Sequence, residues 1–130
     1  MASERESRRE QELLESLRRG WQRREAEAKE RERKRRELAL DKAQKAALHL
    51  KEKYGVREVY LFGSLAYGLH FSERSDIDLL VEGFPTEANY WLALAELEEI
   101  AIPFPVNVIL SEDAFPSLRE VARAQGIRLV

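Results

Sequence analysis

The sequence predicts a mixed α/β fold: a small mixed β-sheet with packed helices, preceded by a long charged N-terminal helix. Three observations point there. Beyond Tyr54, short runs of strand formers alternate with stretches of helical periodicity. Composition changes sharply at Tyr54–Gly55. Ahead of that point, residues 1–53 contain no proline and one glycine, Gly20. The expected organisation is a helical arm over residues 1–53 and a folded domain over residues 54–130.

The arm owes its helical reading to charge spacing. Within Gln22–Glu37, 13 of 16 residues are charged, too many for a buried face. Four glutamates precede a cation by one helical turn: Glu25 and Lys29, Glu27 and Arg31, Glu30 and Lys34, Glu32 and Arg36. Each such pair contributes only ~0.2–0.5 kcal/mol, but several on good helix formers sustain an exposed helix. Leu13, Leu14, Leu17 and Trp21 recur at helical spacing. A second stripe, expected to be buried, comprises Leu38, Leu40, Ala43, Ala46, Ala47, Leu48 and Leu50. Two amphipathic pieces joined by a solvated rod, with a kink at Gly20, is one reading. A partly disordered arm is the other. Contact with a second copy or a partner through Leu13–Trp21 is an open alternative, although a strict heptad repeat is absent.

The domain reads in order. Gly55 fits the left-handed residue that ends a helix. Arg57–Phe62 and Asp76–Val81 are strands, the second stopped by Gly83 and Pro85. Glu87–Ile100 has helical periodicity through Trp91, Leu94 and Leu97, which places Tyr90 and Trp91 in the core. Phe104–Leu110 is a third strand introduced by Pro103 and Pro105. Pro116–Gln125 is a short helix closed by Gly126, and Ile127–Val130 adds a last strand.

Composition excludes several classes. No apolar run approaches the ~18 residues a membrane helix needs, so no membrane partner is expected. The opening MASERESRRE has no apolar stretch behind it, so no secretory signal is expected. There is no cysteine and there are only two scattered histidines, which removes disulfides, thiolate metal sites and a histidine zinc site. A reducing cytoplasm is the expected compartment. Residues 1–37 carry a net charge of +3 (13 Lys/Arg against 10 Asp/Glu), and residues 38–130 carry −5 (9 against 14). An acidic domain argues against direct nucleic-acid binding.

Chemistry concentrates in two half-motifs. Gly63-Ser64 follows a strand directly, and Asp76-Ile77-Asp78 opens the next. Side chains two apart on a strand share a face, so Asp76 and Asp78 project together and repel unless something neutralises them. A hard divalent cation such as Mg²⁺ does so and favours oxygen ligands. Glycine lets a phosphate approach the backbone, and Ser64 is a good N-cap for a short Ser64–Tyr67 turn whose N–H groups face an anion. A phosphate cradle beside a metal-holding pair is the minimum equipment for phosphoryl or nucleotidyl transfer.

Gly63-Ser64-Leu65-Ala66-Tyr67-Gly68, followed after 11 intervening residues by Asp76-Ile77-Asp78, resembles the signature of the minimal nucleotidyltransferases of the DNA polymerase beta superfamily. The resemblance covers roughly Val56 to Val130 and leaves out the charged arm. It implies the nucleotidyltransferase fold, nucleotide phosphates on Gly63 and Ser64, and two Mg²⁺ ions on Asp76 and Asp78 with ATP as substrate. The family's third carboxylate falls on the third strand, where this chain has Asn107. Asn107 is the third candidate catalytic residue: its carbonyl can face a metal, but it cannot accept a proton. Leu65 stands where relatives often carry arginine.

Stand-alone members of that family resemble antitoxins encoded beside helical RNase toxins of the HEPN class, which they neutralise by adding AMP to a tyrosine, by binding, or both. That role is what the resemblance implies here, with the toxin as partner. A catalytically weak binding module acting by steric occlusion is the alternative. Three residues have blander readings: His70 as a solvated loop residue, His49 as a helix-surface residue, and Arg74 as a surface cation that also lies close enough in sequence to approach a phosphate.

Overall fold

Ser3 starts the first helix. Its hydroxyl accepts from the Glu6 backbone N–H at 3.2 Å, and the Glu6 carboxylate accepts from the Ser3 N–H at 3.4 Å, a reciprocal cap that satisfies two otherwise orphaned donors. In this computed structural model, which describes residues 3–130, helix α1 runs over Glu4–Tyr54. The chain divides into two compact units, one ending at Lys34 and the other spanning Arg35–Val130.

In the first unit the helix continues through Gly20 without interruption. Glu25 and Lys29 pair at 3.9 Å, whereas Glu30 bonds Arg33 rather than Lys34 (Nη2 to Oε1, 2.6 Å). Leu13, Leu14, Leu17 and Trp21 are all exposed.

The second unit is built on a four-stranded sheet. Strands β1 (Glu58–Phe62), β2 (Ile77–Glu82), β3 (Val106–Leu110) and β4 (Ile127–Arg128) lie in the order β3-β2-β1-β4. β1 pairs antiparallel with β2 and with β4, while β2 pairs parallel with β3. A parallel pair needs a crossover, and helix α2 (Tyr90–Ile100) supplies it. Asn89 caps α2, its side-chain carbonyl accepting from the N–H groups of Trp91 and Leu92. The helix therefore starts three residues later than its periodicity suggests. After β3 come a single 3₁₀ turn (Ser111–Asp113) and helix α3 (Pro116–Gln125).

Alternation along the strands sorts the core into two layers. Val59 and Leu61 of β1, Ile77, Leu79 and Val81 of β2 and Val106 and Val108 of β3 face one side. There they bury Ala39, Ala43, Ala46, Ala47 and Leu50 of α1 and Ala93 and Leu97 of α2. Small alanines let the helix lie close to the sheet. The buried stripe includes Ala39, while Leu38 and Leu48 are exposed; the 3.6-residue period rotates those two leucines out of the seam. The other sheet face carries Phe62 and Leu80 with Ala122 of α3. Trp91, expected in the core, is 74% exposed, and Tyr90 is half-buried with its hydroxyl donating to the Val108 carbonyl at 2.6 Å. The Asn89 cap starts the helix so that Ala93 and Leu97 take its inward positions, leaving Trp91 outside. No helix among the described residues is long and apolar enough to cross a membrane.

Candidate nucleotidyl-transfer site

The face that carries Phe62 and Leu80 also carries the candidate residues. Phe62 registers with Asp78 on one side, and Asp78 registers with Asn107 on the other. α3 covers this face at Leu80, and at its far end Arg123 of α3 pairs with the buried Glu82 carboxylate. The end holding Asp78 and Asn107 keeps its polar groups accessible: Asp78 is half-buried, and Asp76 and Asn107 are exposed.

Gly63 ends β1 with φ +78°, a conformation that only glycine adopts without penalty. It also lies against Asp78: a Cβ added at this position would overlap the Asp78 Oδ2 atom. The glycine is thus required twice, by its dihedral and by the carboxylate beside it.

A single helical turn follows. The Gly63 carbonyl accepts from the Tyr67 N–H at 3.0 Å, and the Ser64 carbonyl accepts from the Leu69 N–H at 3.2 Å. Gly68, at φ +72°, sits at the left-handed position that lets this longer bond close the turn. Gly63, rather than Ser64 as the sequence suggests, therefore occupies the cap position. Ser64 is the first residue of the turn, half-buried. N–H groups at the start of such a turn have no carbonyl one turn earlier to bond.

Electrostatics join the three strand positions. Burial pushes the Asp78 carboxyl above its ordinary range, a hydrogen bond with the Asn107 side chain works against that rise, and the charge of Asp76 adds to it. Asp76 and Asn107 thus lie close enough to Asp78 to act on its carboxyl. Among the described residues no group of three or more His, Cys, Asp or Glu side chains comes together; the carboxylates stop at two, and Asn107 fills the third position. Two carboxylates, an amide carbonyl and a glycine-lined approach form an all-oxygen donor set suited to a hard divalent cation. A cation there would offset both the burial that raises Asp78 and the added charge of Asp76, so the residues present fit Mg²⁺.

The remaining candidates lie outside this cluster. His70 is exposed in the loop between the half-motifs. Arg74 is exposed, and its backbone N–H donates to Ser72 Oγ at 3.2 Å. Leu65 is buried in the main core, which gives this position a packing role. His49, expected on the surface, is partly buried with Nε2 3.5 Å from Glu96. Sequence reasoning gave Arg35 no role and Arg36 only a surface pair with Glu32, yet their guanidinium groups bond four carbonyls of the loop between the half-motifs. Adjacent arginines in a run of charges carry no signal that separates them from solvated neighbours.

Comparison with known proteins identifies the domain. Residues 43–122 match the profile of the nucleotidyltransferase domain. Among solved structures, the crystal structure of a toxin-antitoxin with AMP-PNP is similar, with a TM-score of 0.56 and 25% sequence identity, covering 67% of this chain and 72% of the other. No curated protein matches the sequence. With the matched span covering well over half of the chain and enclosing Gly63, Ser64, Asp76, Asp78 and Asn107, the chain belongs to the nucleotidyltransferase domain family.

Proposed function

We propose that this chain is an antitoxin that transfers AMP from ATP to a tyrosine of a cognate toxin of the HEPN RNase class, in the cytoplasm. One observation carries the reading. Gly63, Asp78 and Asn107 come together on one sheet face, with Asp76 coupled to them, in a nucleotidyltransferase domain. The similarity to a toxin-antitoxin crystallised with AMP-PNP supports an adenine nucleotide and a toxin partner.

In this reading Asp76 and Asp78 hold two Mg²⁺ ions, which when bound neutralise the triphosphate and the departing pyrophosphate. Gly63 gives the phosphates close access to the backbone, and Ser64 offers its amide and hydroxyl. The acceptor phenol oxygen forms the new bond to the α-phosphorus, and the bond from that phosphorus to the β-phosphate bridging oxygen breaks. The phenol proton leaves to solvent, because Asn107 has no basic site. General-base assistance contributes ~10²–10⁴-fold in such reactions, so transfer by this chain is slow.

A second reading rests on Asn107 itself. With an amide opposite Asp78, the chain neutralises its partner by occlusion, aided by the −5 charge of residues 38–130 facing a basic RNase. ATP labelled at the α-phosphate, Mg²⁺ and the product of the adjacent gene separate the two. Label on the partner that disappears with Asp76→Ala establishes transfer. Tight association without label, equal with and without ATP, establishes occlusion.

A further inference from the structure

We propose that Arg35 and Arg36 are positioning residues for the candidate site, holding the loop between its two half-motifs so that Ser64 and Asp76 stay beside the Gly63–Asp78 contact set by the β1–β2 ladder. The inference rests on the nucleotide-binding reading above and adds residues that lie outside the family-matched span of 43–122.

The loop needs holding. Eleven residues separate Ser64 from Asp76, and beyond the Ser64–Gly68 turn none is helical or extended in a ladder. Within the loop, Phe71 is buried in the core, Ser75 Oγ accepts from the Ser72 N–H at 2.9 Å, and the Ser75 and Arg74 N–H groups donate to the Ser72 carbonyl and hydroxyl. The β1–β2 ladder fixes Gly63 beside Asp78, but Ser64 and Asp76 lie just outside it, so their placement depends on this loop.

Two adjacent guanidinium groups divide this task. Arg36 Nη1 donates to the Leu65 carbonyl at 2.9 Å, and its Nη2 donates to the Leu69 carbonyl. These two carbonyls bracket the end of the helical turn, where a cation is favourable. Arg35 Nε donates to the Ser72 carbonyl at 3.2 Å, and its Nη2 to the Glu73 carbonyl at 2.9 Å, fixing the stretch that leads into Asp76. The guanidinium of Arg35 also lies 4.8 Å from the Phe104 ring centroid, and that of Arg36 lies 5.9 Å from Phe71.

Arginine suits this role where lysine does not. A planar fork spans two carbonyls at once, whereas an ammonium is a single point. Both arginines are half-buried, while Arg33, Lys34 and Glu37 around them are exposed. One turn further along α1, Ala39 and Ala43 are fully buried against the sheet. The clamp is therefore anchored to the same core that carries β2.

The test uses the full chain and reads two quantities in wild type, Arg36→Ala, Arg36→Lys, Arg35→Ala and the control Tyr90→Phe. Amide hydrogen exchange over residues 64–75, without nucleotide, reports the loop. Calorimetric titration with Mg–ATP reports the site. Arg36→Ala and Arg35→Ala are expected to speed exchange there at least tenfold and to weaken Mg–ATP binding tenfold or more. Arg36→Lys moves both in the same direction, and Tyr90→Phe leaves the affinity unchanged. Wild-type exchange in the alanine variants, faster exchange with wild-type affinity, or full restoration of both by lysine would each overturn the proposal. Arg36→Lys and Arg35→Ala are read by the same criteria if Arg36→Ala does not fold. Failure of the wild-type chain itself to bind Mg–ATP overturns the nucleotide reading, and is told apart because no variant is involved.

Discussion

Asn107 stands opposite Asp78 across the parallel β2–β3 pair. Burial pushes the Asp78 carboxyl up, the hydrogen bond with Asn107 restrains it, and Asp76 pushes it further. An amide that restrains Asp78 thus stands where a third carboxylate would add to the negative charge.

Replacing that amide tests the assignment. Asn107→Asp removes the donor that restrains Asp78 and adds a third negative group. The variant is expected to melt below wild type in EDTA and to gain more from Mg²⁺. In the labelling assay it transfers AMP ~10²–10⁴-fold faster, the usual range for general-base assistance. Melting curves with and without Mg²⁺, alongside single-turnover labelling, check both halves.

Removing the Asp78 charge moves stability the other way. A carboxyl raised in the folded chain opposes folding wherever it is ionised. That cost begins as pH rises past the ordinary 3.8 and is complete above the folded value. Asp78→Asn is therefore expected to raise the melting temperature at pH 7, to leave it unchanged at pH 3, and to lose Mg²⁺-dependent nucleotide binding. Scanning calorimetry at the two pH values reads the sign.

Gly63 is the least replaceable residue of the site. Alanine there meets a left-handed backbone, at a cost of roughly 1–2 kcal/mol, and its Cβ overlaps the Asp78 carboxylate. Gly63→Ala is expected to lower the unfolding free energy, read from denaturant curves, by at least that much and to abolish Mg–ATP binding. Gly55→Ala is the control: it has the same backbone sign at φ +67°, but no atom lies within 4 Å of an added Cβ. It should lose stability and keep binding.

The Glu96 cluster sets an acid limit on the fold. Lys53 and Tyr54 of α1 hydrogen-bond the Glu96 carboxylate of α2, holding its pKa down to about 2 from the ordinary 4.5. A depressed carboxyl contributes stability that is present above pH 4.5 and is lost as pH falls toward 2. Lys53 is pushed above 10.5 by the same bond, so its share persists below that pH and is lost only as pH rises further. Glu96→Gln is expected to lower the melting temperature at pH 7 and to flatten its dependence between pH 4.5 and 2. The difference shrinks in high salt, because Lys53 is solvent-facing.

Much of the site was legible because strand geometry is periodic. The common face of Asp76 and Asp78 follows from alternation and Gly63 from its place after β1, whereas Asn107 is reached only through the family resemblance. Other features depend on tertiary detail. Ser64 reads as a cap in sequence, yet the Gly63 carbonyl closes the turn, since the backbone at φ +78° has already bent toward Asp78. Trp91 looks like core by spacing, but the Asn89 cap sets α2's phase. Leu38 and Leu48 are more apolar than Ala39 and Ala43, but the close approach of α1 to the sheet selects the alanines. Periodicity ranks residues by hydrophobicity; packing ranks them by size as well.

Calorimetric titration of the wild-type chain with Mg–ATP tests the central claim most directly. The account predicts saturable heat at one nucleotide per chain, absent in EDTA and absent in Asp78→Asn. No heat from wild type, or the same heat from Asp78→Asn, would contradict it.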